Sequence, residues 1–528
     1  MGNNKKQIFY ILAIVLSLLA VYGITCKYGF INWDDDINVF ENPAFFTANP
    51  IKTLWASFTS YSYLPVSYTM MYLQYHYTKS PQVMHCVNVI LHCVNVVLIF
   101  FVLKKLRLGV VVAFWAALIY GVHPMRVETV AWISEQKGLW AGFFGWMSVL
   151  FYTRYKEKEN LAFFVSSMAL YTLAVFSKQT AMPFCLVFFL MRYFVFEENI
   201  IRKNLWESVA VAVVGYSLTM TQWVCESRHF LLTSAENLGV YDRFINSAKC
   251  FMYYILKTFL PFNVYQIYPK WQNGVDFTAD VLPAIAVAAV FVVAIKYFLK
   301  NRDDLSARLT VFSLFAYFFT ILPVLGIFTI PYMNTTYVTD RYSYFSGVFI
   351  VLFLVLFIEK RIVKLSHYIF AFFCVVFGLF SVSYVMVWEK PDVFWRYLIK
   401  NDPSSDTAYV NLSYFYMHKP DVKKEDIKEA SFLSQKAIAS NPKNALGWYN
   451  YGSCMMLAGN YSEAEKYFKQ ALVVKPEYAD IWNDLGFVAL KKGDLKSAER
   501  YYKRALEYNS NHAVAKKNLV ELMRERHL

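Results

Sequence analysis

The chain has 528 residues, of which 57% are hydrophobic, 19% aromatic and only 17% charged. Soluble domains carry about 25% charged residues, so long parts of this chain hold almost no charge and a wholly soluble protein is excluded. Its net charge of +14 sits on Lys and Arg grouped in short loops between apolar runs. No basic face interleaved with aromatics occurs, which excludes nucleic acid as the partner.

In chain order, the first apolar run covers residues 9–25, after Lys5 and Lys6. No small-x-small cleavage site precedes the aspartates that follow, so it reads as an uncleaved first helix. Further runs lie at 83–103, 109–122, 138–153, 160–176, 181–196, 205–224, 279–298, 309–330, 342–358 and 367–388. The sequence thus predicts about eleven membrane spans. Lys104, Lys105, Arg154, Arg202, Lys300, Arg308, Lys360 and Arg361 then share one side with the N-terminus, and the positive-inside rule makes it cytoplasmic. Segment 245–262 is apolar but contains Lys249 and Lys257 and ends at Pro261, so it is read as an interfacial or re-entrant helix. Segments 26–82, 123–137, 225–278 and 331–341 are expected outside, together with everything after Trp388.

The eight cysteines are scattered, several of them inside apolar runs (Cys86, Cys93, Cys185, Cys374). They show no CxxC or metal-ligand spacing. They read as small core hydrophobes, and a disulfide framework is not expected.

The polar residues that the membrane region keeps lie at the outer rim. Asp34, Asp35 and Asp36 follow the first span directly, within Ile31–Pro43. They are either a solvated acidic loop or the source of a general base, since a carboxylate beside the membrane can take a proton from an attacking hydroxyl. Trp33, Phe40 and the Asn42–Pro43 turn favour a loop held down on the surface. The second outer loop carries His123, Arg126, Glu128 and Lys137. Charges at this depth are costly and tend to be functional. The bland alternatives are a helix-ending His-Pro turn for His123 and mutual pairing of Arg126 with Glu128. Lys178 either snorkels to the interface or serves a ligand. Arg341, whose donors form a fixed fork, suits a phosphate. No His or Cys set points to a metal.

Beyond Trp388 a period of about 34 residues takes over. Trp448 repeats as Trp482, Gly452 as Gly486, Gly459 as Gly493, Ala464 as Ala498, Phe468 as Tyr502 and Ala471 as Ala505. Small residues at such offsets let paired helices approach, which is the pattern of tetratricopeptide repeats. Tyr409, Leu412, Tyr416, Ala430, Ala437 and Pro442 form a degenerate earlier copy with an insertion near 418–426. Arrays of this kind are binding surfaces.

With these motifs the chain resembles the transmembrane O-mannosyltransferases with tetratricopeptide repeats and their bacterial relatives, in the GT-C superfamily. The resemblance spans nearly the whole chain and rests on Trp33-Asp-Asp-Asp with Glu41-Asn-Pro43, on His85–His92, on Val122–Trp132, on Ser177-Lys178, on Asp340–Tyr344 and on the repeats. It implies an all-α protein with a GT-C-type transmembrane domain over 1–390 and an extracytoplasmic repeat solenoid over 391–528. It further implies an inverting glycosyltransferase that uses a polyprenyl-phosphate monosaccharide and a hydroxyl acceptor, such as Ser or Thr of a secreted protein. Asp34 and Asp35 match the family's catalytic acidic pair, and Asp35 is the preferred base. Arg341, Lys178 and Arg126 are expected at the donor phosphate, with Trp33, His123, Glu128 and Lys137 lining the site. No cofactor is expected. The repeats would hold the acceptor polypeptide or a partner protein, in a periplasm or an ER lumen. The chain departs from the family at Gln136-Lys137-Gly138, where relatives have Arg-Lys-Asp, and at Ser346, where they have Pro. The rivals are a membrane scaffold that recruits envelope or secretion proteins and a transporter of lipid-linked sugars.

Overall fold

The structure, a computed structural model, describes residues 2–56, 63–198, 205–227, 239–271, 276, 280–327 and 331–526. Among these residues the chain is helical with no strand. It divides into two compact units, Met1–Lys390 and Pro391–Leu528.

Among the described residues of the first unit, four helices are long and apolar enough to cross a membrane: Lys5–Lys27, Pro81–Lys105, Leu305–Val324 and Ser366–Trp388. A fifth crossing results if Val110–Gly121 and Pro124–Ala131, bent by 62°, form one broken span. The eleven spans expected from apolar runs are therefore not reached by length and composition. Crossing a bilayer takes about 20 helical residues, and several runs are interrupted before that. Leu161–Ser177 ends because Lys178 is extended (φ −159, ψ 131), and the next run restarts as a 3-10 turn, Gln179–Ala181, and a short α-helix, Phe184–Leu190, before a π-helical segment at Met191–Val195. Segment 245–262 lies largely in a helix, Val240–Phe259, that is not among the spanning candidates. One face of it buries Cys250, Phe251 and Tyr254 while Val240, Tyr241, Phe244 and Leu256 stay exposed. The Tyr254 hydroxyl donates to the Thr339 carbonyl (3.1 Å) and accepts from the Thr339 N–H (3.2 Å), which fixes the 337–341 segment. Parts of the expected outer segment 225–278 fall outside the described residues.

The Pro81–Lys105 helix is the post on which the 28–43 and 123–137 loops hang. Its polar residues His85, Asn88, His92 and Asn95 recur at spacings of three and four, so they share one face. All four are buried. Each binds a backbone carbonyl of a neighbouring segment. His85 Nε2 meets Gly29 O (3.1 Å), Asn88 Nδ2 reaches both Val130 O and Trp132 O (3.1 Å each), His92 Nε2 meets Gly121 O (3.0 Å) and Asn95 Nδ2 reaches Leu139 O (2.9 Å).

The second unit consists of antiparallel helix pairs, Asp406–Met417 with Lys424–Ser440, Ala445–Leu457 with Tyr461–Val474, and Ala479–Lys491 with Leu495–Tyr508, closed by Ala513–Arg526. Ala464, Ala471, Ala498 and Ala505 are fully buried between them, as are Phe468 and Tyr502. A Cβ on Gly452 would stand 2.6 Å from the Phe468 ring, and one on Gly486 2.5 Å from Tyr502. Either Gly→Leu change should therefore lower the stability of the 403–528 fragment by roughly 1–3 kcal/mol through overpacking, read by urea unfolding with circular dichroism. Unchanged midpoints for both variants would contradict this packing.

Candidate functional site

The loop over residues 123–137 folds by repeated helix breaks. Pro124 cannot continue the preceding helix, and residues 124–126 form one 3-10 turn before Val127–Ala131 resumes. Trp132 is extended (φ −95, ψ 124), and a second 3-10 turn, Ile133–Glu135, leads into Gln136–Lys158. Asn88 takes up the carbonyls these breaks release, and Asn88 Oδ1 in turn accepts from Gln136 Nε2 (2.7 Å). Both carboxylates of the loop, Glu128 and Glu135, thereby turn inward and are buried.

Two distant cations meet them there. Arg341 donates through Nη1 to Glu128 Oε1 (2.5 Å) and through its backbone N–H to Oε2 (2.9 Å), and its Nε lies 3.5 Å from Glu135 Oε1. Thr339 Oγ1 also donates to Glu128, 3.0 Å from each oxygen. Lys178 Nζ pairs with Glu135 Oε2 at 2.5 Å. Rings cover this set. The Arg341 guanidinium lies 5.3 Å from the Trp132 ring centroid and 5.2 Å from that of Tyr342, and Lys178 lies 5.3 Å from the same Tyr342 ring.

The acidic loop is stapled to this wall. Trp132 Nε1 donates to Trp33 O (2.9 Å). Ser134 donates to Asp35 Oδ1 through both N (2.9 Å) and Oγ (2.6 Å), and Ile31 N–H donates to Oδ2 (3.0 Å). Asp35 is fully buried by these contacts. Burial pushes its pKa up to about 7 against the donors of Ser134 and Ile31. Asp34 differs from it in exposure and backbone. It is exposed and sits at φ +61, a left-handed conformation that costs an L-residue roughly 1–2 kcal/mol. Strain of that kind gathers at functional sites. Although its side chain meets solvent, the protein packed around it still raises its pKa above the ordinary carboxylate value. Lys137 and Arg341 oppose that rise, while Asp36 and Glu135 add to it. Asp36 caps its own neighbour, accepting from Ile37 N–H (2.9 Å).

The structure thus brings Asp34, Glu128, Glu135, Lys137, Lys178 and Arg341 into one electrostatic neighbourhood, with Trp33 at its edge. Lys137 is half-buried and makes no hydrogen bond or ion pair among the described residues. Two of the expected site residues lie elsewhere. Arg126 is buried, donates to Ser343 O (2.7 Å) and to Ser343 Oγ (2.5 Å), and faces the Tyr120 ring at 5.0 Å. His123 uses both ring nitrogens in its turn, one accepting from Met125 N–H (3.2 Å) and the other on Thr258 O (3.0 Å). Arg126 and Glu128 do not pair with each other. Glu135, Ser134, Thr339 and Tyr342 were not singled out from sequence; seven-residue spacing from Glu128 was the one cue for Glu135. Among the described residues no group of three or more His, Cys, Asp or Glu could hold a metal ion.

The cilia and flagella-associated protein 70 middle TPR-like domain matches residues 422–523. The search of curated proteins found no match. Among solved structures, pilF of Pseudomonas aeruginosa is 25% identical with TM-score 0.24, over 26% of this chain and 60% of that one. A thermophilic TPR protein of Thermus thermophilus is 21% identical with TM-score 0.23, over 33% of this chain and 89% of that one. An Archaeoglobus fulgidus oligosaccharyltransferase, solved with a tethered acceptor peptide containing the NVT sequon, is 13% identical with TM-score 0.41, over 80% of this chain and 58% of that one. The helix pairs over residues 406–508 and the profile match together make the C-terminal unit a tetratricopeptide-repeat-like domain of a chain whose other unit carries helices long and apolar enough to cross a membrane.

Proposed function

We propose that this protein is a membrane glycosyltransferase that moves a monosaccharide from a polyprenyl-phosphate donor to a hydroxyl of an acceptor polypeptide, with inversion. The observation that carries this reading is Asp34, an exposed, strained carboxylate under the influence of Lys137 and Arg341. Asp34 takes the acceptor's proton as the hydroxyl oxygen attacks the anomeric carbon. The sugar–phosphate bond breaks on the opposite face, and the phosphate leaves toward Lys137, the cation not engaged by a carboxylate. Arg341 and Lys178 stand behind it, each already bound to Glu128 or Glu135, and supply a fixed positive field. Asp35 acts through position alone, since its oxygens hold the loop to Ser134. The repeats present the acceptor or a partner protein.

Sugar transfer from a polyprenyl-phosphate donor to a Ser/Thr-rich peptide in proteoliposomes tests the reading. No transfer by folded wild-type protein with any of the common polyprenyl-phosphate monosaccharides would leave it without support. Sidedness is tested separately. A reporter active only outside the cytoplasm should be active when fused after Leu528 and silent after Lys105. A silent C-terminal fusion would place the repeats in the cytoplasm and remove them from the reaction.

A further inference from the structure

Among the described cysteines Cys93, Cys250 and Cys454 are buried, whereas Cys26, Cys86, Cys185 and Cys374 are only partly so. Cys26 belongs to the 3-10 turn Gly23–Lys27 that ends the first helix, and this turn packs against the Pro81–Lys105 helix near the start of which Cys86 stands. Their thiols lie beside one another. Neighbouring contacts hold the two segments in register. His85 Nε2 meets Gly29 O at 3.1 Å, and the Tyr28 and His85 rings stand edge to face with centroids 6.2 Å apart.

We propose that Cys26 and Cys86 are a disulfide-forming pair that clasps the base of the first outer loop. The loop between them, residues 27–85, carries Asp34 and Asp35, so the bond would tie the acidic segment to the helix that supports the second loop. The chemistry is thiol–disulfide exchange with an oxidised dithiol or glutathione disulfide. One thiolate attacks the donor's disulfide sulfur and releases a thiol. The second thiolate then displaces the remaining half as another thiol and closes the Cys26–Cys86 bond. Two protein thiols become one disulfide, and one donor disulfide becomes two thiols. Formation in the cell rests on the reading that residues 26–82, and with them the start of the Pro81–Lys105 helix where Cys86 stands, face an oxidising, extracytoplasmic compartment.

The full-length protein, purified in detergent, is treated with glutathione disulfide, blocked with N-ethylmaleimide and digested with trypsin. The expected product is peptide 7–27 linked to peptide 80–104, separable by reduction. It should be absent from Cys26→Ser and from Cys86→Ser. Folded protein in which both thiols carry maleimide after this treatment would overturn the proposal. The same digest is made from cells blocked before lysis. Linkage there supports both the pair and the compartment. Linkage in the purified protein but not in cells keeps the pair and counts instead against the outward-facing loop, so the two readings fail separately.

Discussion

Asp34→Asn lowers sugar transfer by about 100-fold or more, with insertion and thermal stability unchanged. The substitution keeps the size of the side chain and its tolerance of the left-handed backbone at φ +61, and removes only the ability to accept a proton. Asp35→Asn behaves differently. Its oxygens accept from Ser134 N–H, Ser134 Oγ and Ile31 N–H. An amide sets an N–H₂ against one of these donors in a fully buried place, so the loop loosens and the melting temperature drops. The pH profile supplies a second check on Asp34. A base works only when ionised, and the protein packed around Asp34 raises this group's pKa above the ordinary carboxylate value. Activity is therefore present above that raised pKa and lost as pH falls through it, so the acid limb lies above the range of about 4 for a free carboxylate. Wild-type-like transfer by Asp34→Asn would remove the mechanism, and full activity down to that range would place the base elsewhere.

Arg341→Met costs about 3–5 kcal/mol of stability, because it leaves the buried Glu128 carboxylate without its cation. The side chain of Glu128 is 0% exposed and that of Arg341 12%, so water cannot replace the lost guanidinium. Arg341→Lys loses less but still fails in part, since one ammonium cannot serve both Glu128 and Glu135 as the fork does. In the double variant Arg341→Met/Glu128→Leu much of the loss returns, because removal of both charges relieves the burial penalty. Thermal unfolding of the purified protein in detergent measures all three. A single variant Arg341→Met as stable as wild type would mean that the Glu128–Arg341 pair is not buried in the membrane-inserted protein.

What was legible in the sequence was what local chemistry dictates. The recurrence of Gly452 and Gly486, Ala464 and Ala498, and Phe468 and Tyr502 foretold helix pairs packed too closely for a Cβ, because helical packing repeats with the chain. Pro124 foretold a break, since a missing N–H ends a helix in any context. The acidic run after the first span marked a rim, as charges seldom enter a bilayer. Apolar runs, by contrast, do not locate helix breaks: composition says how a segment is solvated, and the breaks at Trp132 and Lys178 depend on partners elsewhere in the chain. Only tertiary structure separated Asp34 from its neighbour Asp35, because their difference lies in Ser134, far along the chain. It also chose Arg341 over Arg126 for Glu128 and left Lys137 unengaged. Charge pairing depends on distance in space and on the exclusion of water, and both arise only after the loops have closed over the Pro81–Lys105 helix.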